Sequence, residues 1–294
     1  MFINLHTTNK ALFIVHLAIG DYTYMQRCFE KLKADYPHLQ IDLFIQDHRR
    51  TTDVSKWKHL DNYILYEWLE SSRLFGKIYK TYSPQLLETA IKEAKAEHYP
   101  LVISLGDLRS QNYSALAKEI AQDQIAVGID IETTIFHLNH RKELNKLDAR
   151  ITDLKDKSQH ISQKFAYWFE QIADLKFQPE ELYPEIAIPH KWQEKIDLQL
   201  QLWKPANLIT PTVFINIYAK GEERCWKPEQ ALSLIKKMQE SSRYQDATYI
   251  LNSPPEAEDE LEKLMVDAGL QNSYTFCASK SFFELPALLK RCDL

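Results

Sequence analysis

Ten residues near the start of the chain set its architecture: LFIVHLAIGD, from Leu12 to Asp21. The apolar run Leu12–Leu17 predicts a buried β-strand, and Gly20 allows the tight turn expected after it. Apolar residues then recur at helical spacing until Pro37, and a second β-rich run follows at Ile41–Ile45. The order of strand, helix and strand predicts a parallel sheet with flanking helices, as in Rossmann-like α/β domains.

The same alternation continues through the first half of the chain. Strands are expected at Tyr63–Tyr66, Leu101–Leu105 and Ile125–Ile129, and helices at Leu86–Ala96 and Ala115–Ala121. Between Glu143 and Leu175 an apolar stripe runs through a charged segment, which predicts one long amphipathic helix. Acidic residues interrupt its positive charge, so we expect it to pack against its own domain. A membrane or partner surface is the alternative.

A proline-rich stretch at residues 177–189 predicts a linker, so the expected domains are residues 1–180 and 181–294. In the second domain strands are expected at Thr212–Tyr218, Ala247–Leu251 and Ser273–Cys277, and helices at Pro228–Gln239, Pro254–Ala268 and Phe283–Leu294. The spacing of Ser253 and Glu256 predicts a capping box, and Gly269 stands where a helix C-terminal glycine is expected.

Composition excludes several classes of protein. The four cysteines are scattered without a C-x-x-C pair, which favours a reducing compartment and argues against zinc or disulfides. No apolar run reaches the ~18 residues of a membrane span, and no secretory leader is expected, so a cytoplasmic location is predicted. A net charge of −5 argues against nucleic acid as a partner. With six glycines and neither a P-loop nor a G-x-G-x-x-G motif, an ordinary ATP or NAD site is not expected.

Three segments carry candidate chemistry. Asp21, after the first strand, is either a general base or a helix N-cap, and one residue can do both. The loop Lys220–Glu229 places cations before a helix, which suits a departing diphosphate, although a solvated loop with Trp226 packed on its own helix is the alternative. Arg109 is either a ligand for an acidic acceptor or a surface arginine paired with Asp107 or a nearby glutamate.

These segments together resemble glycosyltransferase family 9, the ADP-heptose:lipopolysaccharide heptosyltransferases of Gram-negative bacteria. HLAIGD at residues 16–21 is similar to the family's opening strand and Gly-Asp turn. VISLGDLRS at 102–110, followed by VGID at 127–130, is similar to D-L-Q-G-L-x-R-S … G-F-D, with Ser104 in place of the usual aspartate and one residue fewer. RCWKPE at 224–229 resembles K-R-W-P-P-E, with Arg224 in place of the lysine.

The resemblance implies a GT-B fold: two Rossmann-like domains, the first holding an acceptor glycan of the lipopolysaccharide type and the second a nucleotide-sugar such as ADP-heptose. It also implies inverting transfer without a metal or other cofactor, in the cytoplasm or at the inner face of the membrane. Asp21 would be the base. The residues implied on the acceptor side are Gly20, Asp107 and Arg109, and those on the donor side are Lys220, Arg224, Trp226 and Glu229.

The sequence departs from the family at its C-terminal side. It ends at Leu294, before the position of the family's D-x-G-x-x-H loop, and Ser253–Glu256 lacks the glycine of the family's G-x-x-E turn. The second domain is therefore expected to be incomplete. This leaves two hypotheses, an active transferase and a non-catalytic GT-B remnant that binds a glycan or a partner protein.

Overall fold

The computed structural model describes residues 4–46, 64–130, 138–156, 158–204, 210–219 and 222–294. The chain divides into two compact units, Met1–Glu185 and Ile186–Leu294. Each unit is built on a parallel β-sheet, with helices in the connections between strands. The expected α/β class is confirmed.

The first unit carries a six-stranded sheet in the order β3-β2-β1-β4-β5-β6. Its strands are β1 (Lys10–Val15), β2 (Gln40–Ile45), β3 (Ile78–Lys80), β4 (Leu101–Ser104), β5 (Ile125–Asp130) and β6 (Ala149–Thr152). Its helices are α1 (Ile19–Asp35), α2 (Leu65–Ser72), α3 (Pro84–Ala96), α4 (Ser110–Ala121), α5 (Leu138–Leu144) and α6 (Ile161–Ala173). A short 3₁₀ turn at Pro179–Leu182 follows α6.

Strand β1 is the centre of this sheet, with β2 and β4 paired in parallel on its two sides. Its side chains from Ala11 to Val15 are fully buried. Phe13 contacts Phe29 of α1 and Phe169 of α6, at ring-centroid distances of 5.2 and 5.9 Å. Leu12 and Ile14 point into a second cluster on the opposite face, with side chains from α3 and α4. A strand covered by helices on both faces explains the unbroken apolar run in the sequence.

A fully buried carboxylate on β2 was not anticipated from the sequence. Asp42 accepts hydrogen bonds from the hydroxyl of Tyr99 at 2.6 Å and the backbone N–H of Lys77 at 2.8 Å, and Lys10 Nζ lies 3.5 Å away. The hydroxyls of Tyr99 and Tyr79 are 3.0 Å apart. Asp42 lies in the first half of β2, whereas ligands of such sheets bind beyond the carboxyl ends of the strands. This network therefore stabilises the sheet and is not part of a ligand site.

The second unit has a three-stranded sheet in the order β7-β8-β9. Its strands are β7 (Thr212–Ile215), β8 (Thr248–Asn252) and β9 (Ser273–Phe276), and its helices are α7 (His190–Trp203), α8 (Pro228–Gln239), α9 (Glu258–Asp267) and α10 (Glu284–Leu289). Leu294 runs beside β7, where its carbonyl accepts the N–H of Phe214 at 2.8 Å.

Two of the predicted elements in the first unit are wrong. Leu65 and Tyr66, expected in a strand, begin helix α2, and the third strand lies later, at β3; Tyr63 is outside the described residues. Apolar side chains at helical spacing bury one face of α2, and this packing overrides the β-propensity of a four-residue run.

The long helix expected from Glu143 to Leu175 is also wrong, because strand β6 interrupts it. Asp148 accepts the N–H of Ala126 at 2.8 Å and leads the chain into the sheet beside β5. The apolar stripe of α6 is buried in the core, which excludes it as a membrane or partner surface. Within the ranges that the structure describes, no helix is both long and apolar enough to span a bilayer.

Three predictions at helix ends are corrected in the second unit. Helix α9 starts at Glu258 after a 3₁₀ turn, and the Ser253 hydroxyl donates to the carbonyl of Pro254 instead of forming a capping box. The last helix ends at Leu289 rather than Leu294. Helix α7, in contrast, had no counterpart in the sequence prediction. The helix C-terminal glycine is confirmed, since Gly269 has a φ of +67°.

Candidate functional site

The first unit has a topological switch point between β1 and β4. From β1 the sheet is extended through β2 and β3 on one side and through β4, β5 and β6 on the other. In open α/β sheets, ligands bind outside the carboxyl ends of the strands at such a point. The turn that leaves β1 leads to Asp21, and the turn that leaves β4 leads to Arg109. Sheet topology therefore brings the predicted base and the predicted acceptor-side segment to one crevice.

Asp21 is held at the start of α1. The N-cap of this helix is Ala18, so Asp21 is the third helical residue and the N-cap alternative for it is wrong. Its Oδ2 accepts the backbone N–H of Ala18 at 2.9 Å. This bond fixes the carboxylate at the positive end of the helix dipole and leaves Oδ1 for another proton donor. The side chain is partly exposed, as a group that meets a substrate must be.

Gly20 does not serve the turn for which it was expected. It lies inside the first turn of α1, and a Cβ built there would meet no atom within 4 Å. The open space beside the backbone lies one residue from the Asp21 carboxylate. The backbone conformation at Gly20 does not require glycine.

Gly106, in the turn after β4, is required for a packing reason. A Cβ at this position would come within 2.5 Å of the Tyr113 ring. The hydroxyl of the same tyrosine lies 3.2 Å from Nδ1 of His16, in the turn after β1. Gly106 thus lets Tyr113 join the two turns of the crevice. His16 is half-buried and follows β1, although the strand expected at Leu12–Leu17 included it.

Asp107 belongs to a charge cluster that is centred on Lys164. Its Oδ2 lies 2.6 Å from Lys164 Nζ of helix α6, and its Oδ1 accepts the N–H of Leu108 at 2.6 Å. The same ammonium is 3.4 Å from Asp153, whose other carboxylate oxygen accepts the indole N–H of Trp168 at 3.1 Å. We call these four side chains, Asp107, Asp153, Lys164 and Trp168, the α6 charge cluster. It brings together the loops that follow β4 and β6.

The protonation states of this cluster follow from its geometry. Burial favours the neutral form of Asp107, but the Lys164 ammonium and the Leu108 N–H outweigh it and lower the pKa of Asp107 below its usual value. Burial likewise opposes the charge of Lys164, and the two aspartates reverse that effect and raise its pKa. Asp107 and Lys164 are therefore both charged at neutral pH.

Arg109 occupies the junction between the turn and helix α4. It is the N-cap residue and adopts the left-handed conformation, with φ +63° and ψ +39°. The residue is exposed, so it places a long cation at the N-terminus of α4. The neighbouring Asp107 forms its ion pair with Lys164 of helix α6.

The predicted donor-side residues lie in the second unit. The Arg224 side chain is 78% exposed at the end of a short 3₁₀ turn, with its Nε 3.5 Å from a Glu223 carboxylate oxygen. Trp226 is half-exposed, and its backbone N–H donates to the Ile217 carbonyl at 2.9 Å. Glu229 is exposed in the first turn of α8. Lys220 lies outside the described residues.

The Arg224 loop leads directly into the N-terminus of α8. Its path is set by the backbone bond of Trp226 and by Cys225, whose Sγ accepts the Ala219 N–H at 3.2 Å. Arg224 and the N–H groups of α8 can contribute positive potential to a phosphate bound there. A cavity of about 570 Å³ in the same unit opens elsewhere, beside β9 and helices α7 and α9. The donor-side residues that the structure describes, Arg224, Trp226 and Glu229, do not line it.

Sequence reasoning missed Lys164, Asp153 and Tyr113. Lys164 looks like one more cation on the polar side of an amphipathic segment, and its partner Asp107 is 57 residues away along the chain. Tyr113 falls at a helix position that is ordinarily a core position. The available signal was topological, because all three come from segments near the carboxyl ends of β4 and β6.

Comparison with known proteins shows where this fold has been seen. No family model matches the sequence, and no curated protein sequence matches it. A glycosyltransferase family 9 protein from Veillonella parvula superposes with a TM-score of 0.70 at 13% identity, over 100% of this chain and 76% of that one. The E. coli heptosyltransferase WaaC with ADP gives 0.59 at 12% identity, over 97% and 80% of the two chains. WaaC with ADP-2-deoxy-2-fluoro heptose gives 0.58 at 12% identity, over 96% and 80%.

The three structures match nearly the whole of this chain. At 12 to 13% identity this likeness establishes the architecture alone. The chain has the GT-B fold, the same fold as glycosyltransferase family 9 and the heptosyltransferase WaaC.

Proposed function

We propose that the chain is a glycosyltransferase of the heptosyltransferase type. It would transfer a sugar from ADP-heptose or a similar nucleotide-sugar to a hydroxyl of a lipopolysaccharide inner core or related glycan. One observation carries the proposal: the Asp21 carboxylate stands after the central strand of the first sheet, at its switch point, with one oxygen fixed by Ala18. The shared fold of family 9 structures adds support.

The proposed reaction is a single displacement at the anomeric carbon. Asp21 takes the proton from the acceptor hydroxyl, the acceptor oxygen bonds to the anomeric carbon, and the bond to the diphosphate breaks. The configuration is inverted, and the electron pair leaves on ADP. General-base assistance of this kind is worth about 100-fold to 10,000-fold in rate.

Roles for the surrounding residues follow the same proposal. Arg224 offsets charge on the leaving diphosphate, with Lys220, Trp226 and Glu229 completing the donor side. Arg109 binds an anionic group of the acceptor, and Lys164 holds Asp107 in place beside it. No metal takes part in the proposed step. The proposed location is the cytoplasm, with peripheral contact at the inner face of the membrane.

Calorimetric titration of the purified chain with ADP and with ADP-heptose tests the donor half of the proposal. Saturable heat with both ligands, unchanged by EDTA, is the expected result. Absence of heat with both ligands would refute transfer from an ADP-sugar and favour the alternative, a non-catalytic protein that binds a glycan or a partner. Incubation with ADP-heptose and a truncated lipopolysaccharide acceptor, followed by mass spectrometry, then tests transfer directly.

A further inference from the structure

The first unit contains a cavity that lies one helical turn from Asp21. It has a volume of about 360 Å³, within the roughly 300 to 1,000 Å³ typical of small-molecule sites. Tyr24 of α1, His160 and Gln163 at the start of α6, and Tyr183 after the 3₁₀ turn line it together with apolar neighbours. We call this cavity the tyrosine groove.

The groove is neutral and rich in hydrogen-bond donors. None of the described residues that line it is an aspartate, glutamate, lysine or arginine. His160 Nδ1 accepts the N–H of Ser162 at 3.3 Å, so a neutral ring carries its proton on Nε2. Gln163 Oε1 accepts the N–H of His160 at 3.1 Å, which leaves its NH₂ group to donate elsewhere. Two tyrosine hydroxyls add further donor and acceptor capacity.

Aromatic surface accompanies these polar groups. The Tyr24 ring meets the His160 ring edge to face, at a centroid distance of 4.9 Å and an angle of 83°, which fixes both rings. Tyr183 is 72% exposed, so one large face of its ring is available for stacking. A flat apolar face beside several donors, without charge, matches a neutral sugar ring, which presents C–H groups on one face and hydroxyls around its edge.

The position of the groove relates it to the proposed reaction. Tyr24 and Asp21 are three residues apart on α1, so their Cβ atoms lie about 5 to 6 Å from each other on one face of the helix. A sugar in the groove would thus be next to the hydroxyl that Asp21 deprotonates. An anionic ligand would instead favour the Arg109 guanidinium.

We infer that the tyrosine groove is a subsite for a neutral sugar unit of the acceptor glycan, adjacent to the reacting unit, with Tyr183 as its stacking platform. The inference rests on the proposed function and adds a substrate requirement to it. The enzyme needs at least two sugar units on its acceptor, and the non-reacting one is uncharged.

Saturation-transfer NMR with three neutral disaccharides, maltose, lactose and mannobiose, tests the subsite on the full chain. At least one should receive saturation on its ring C–H protons. Tyr183→Ala should weaken that binding about 10-fold, and Tyr183→Phe should retain it, because stacking needs the ring and not the hydroxyl. Leu198→Ala, which truncates another largely exposed apolar side chain, on α7, is the control and should have no effect.

Two results would overturn the subsite: no saturation transfer from the wild-type chain to any of the three disaccharides, or equal binding by wild type and Tyr183→Ala. Circular dichroism of Tyr183→Ala should match the wild type, since the residue is largely exposed. The ADP titration separates the two proposals. ADP binding with no Tyr183 effect removes the subsite and keeps the transferase, whereas disaccharide binding without ADP binding removes the transferase and keeps the subsite.

Discussion

Asp107 and Lys164 form an ion pair with a distance of 2.6 Å between Oδ2 and Nζ, across 57 residues of sequence. The pair ties the turn after β4 to helix α6, and Asp153 contacts the same ammonium from the loop after β6. The turn that carries Arg109 is thereby held by a side chain from a distant helix. The relation makes Lys164 a positioning residue in the proposed acceptor site.

The stability contributed by this pair should depend on pH. The pKa of Asp107 is lowered in the folded chain, so its contribution is present above the unfolded-state pKa and is lost as the pH falls through the folded value. Because the Asp107 side chain is 39% exposed, we expect Asp107→Asn to cost no more than about 1 kcal/mol at pH 7. Urea unfolding at pH 7, 5 and 3 should show the difference from wild type shrinking as the pH falls.

A double-mutant cycle with Lys164→Met isolates the pair itself. If Asp107→Asn costs as much in the Lys164→Met background as in wild type, the two side chains are not coupled and their positioning role is refuted.

Asp21→Asn should reduce transfer by about 100-fold to 10,000-fold, because the amide cannot accept the proton of the acceptor hydroxyl. Asparagine can still accept the Ala18 N–H through its side-chain oxygen, so the helix start and the melting temperature should change little. Steady-state rates with ADP-heptose, together with ADP affinity by calorimetry, provide the check. A variant that transfers at the wild-type rate would remove Asp21 from the mechanism.

Arg224→Ala should weaken ADP binding about 10-fold, because a charge-assisted hydrogen bond to the diphosphate is lost. Its side chain is 78% exposed and lies beside the carboxylate of the adjacent Glu223, so the fold should not depend on it. Lys237→Ala, which removes an exposed positive charge near the opposite end of α8, is the control. Equal losses of ADP affinity in the two variants would show a general effect of net charge and would contradict a binding role for Arg224.

The two glycines of the crevice should respond in opposite ways to alanine. At Gly106 the new Cβ would come within 2.5 Å of the Tyr113 ring, and such overpacking costs about 1 to 3 kcal/mol. At Gly20 the Cβ meets open space within a helix, so the fold should keep or gain stability. Thermal unfolding distinguishes them. A drop in acceptor affinity for Gly20→Ala alone would place the ligand against that backbone.

Asp42→Ala should be the most destabilising of these changes, by about 3 kcal/mol, and should leave ADP affinity unaltered. It removes the carboxylate that accepts from the Tyr99 hydroxyl and the Lys77 N–H within a buried network. Asp123→Ala, at an exposed turn position, is the comparison and should stay within about 0.5 kcal/mol of wild type in urea unfolding.

The sequence predicted the central strands well and the peripheral ones poorly, for a physical reason. Strands β1, β4 and β5 are buried on both faces, so their sequences are nearly continuous apolar runs that can be recognised. Strand β3 has three residues, too few for a period to show, and β6 continues from a charged segment with one buried side chain, Ile151. Their positions are decided by pairing with distant neighbours.

The candidate site divides in the same way. Asp21 and Arg109 follow predicted strands, so the rule that ligands meet strand ends was enough to select them. Lys164 could not be selected by this rule, because an ion pair between segments that are remote in sequence leaves no local pattern. The aromatic and amide side chains of the tyrosine groove likewise come from separate segments, and no local sequence pattern marks them.

Strands β1 and β4 also have a dynamic consequence. Both are interior strands, hydrogen-bonded on each side, and the two turns of the crevice are anchored to them. Their amides should exchange with solvent more slowly than those of the edge strands β3 and β6, which can fray without disturbing the centre. The proposed site residues on these turns would then stay in place while the edge strands open locally. Loss of activity on heating should coincide with unfolding of β1 and β4.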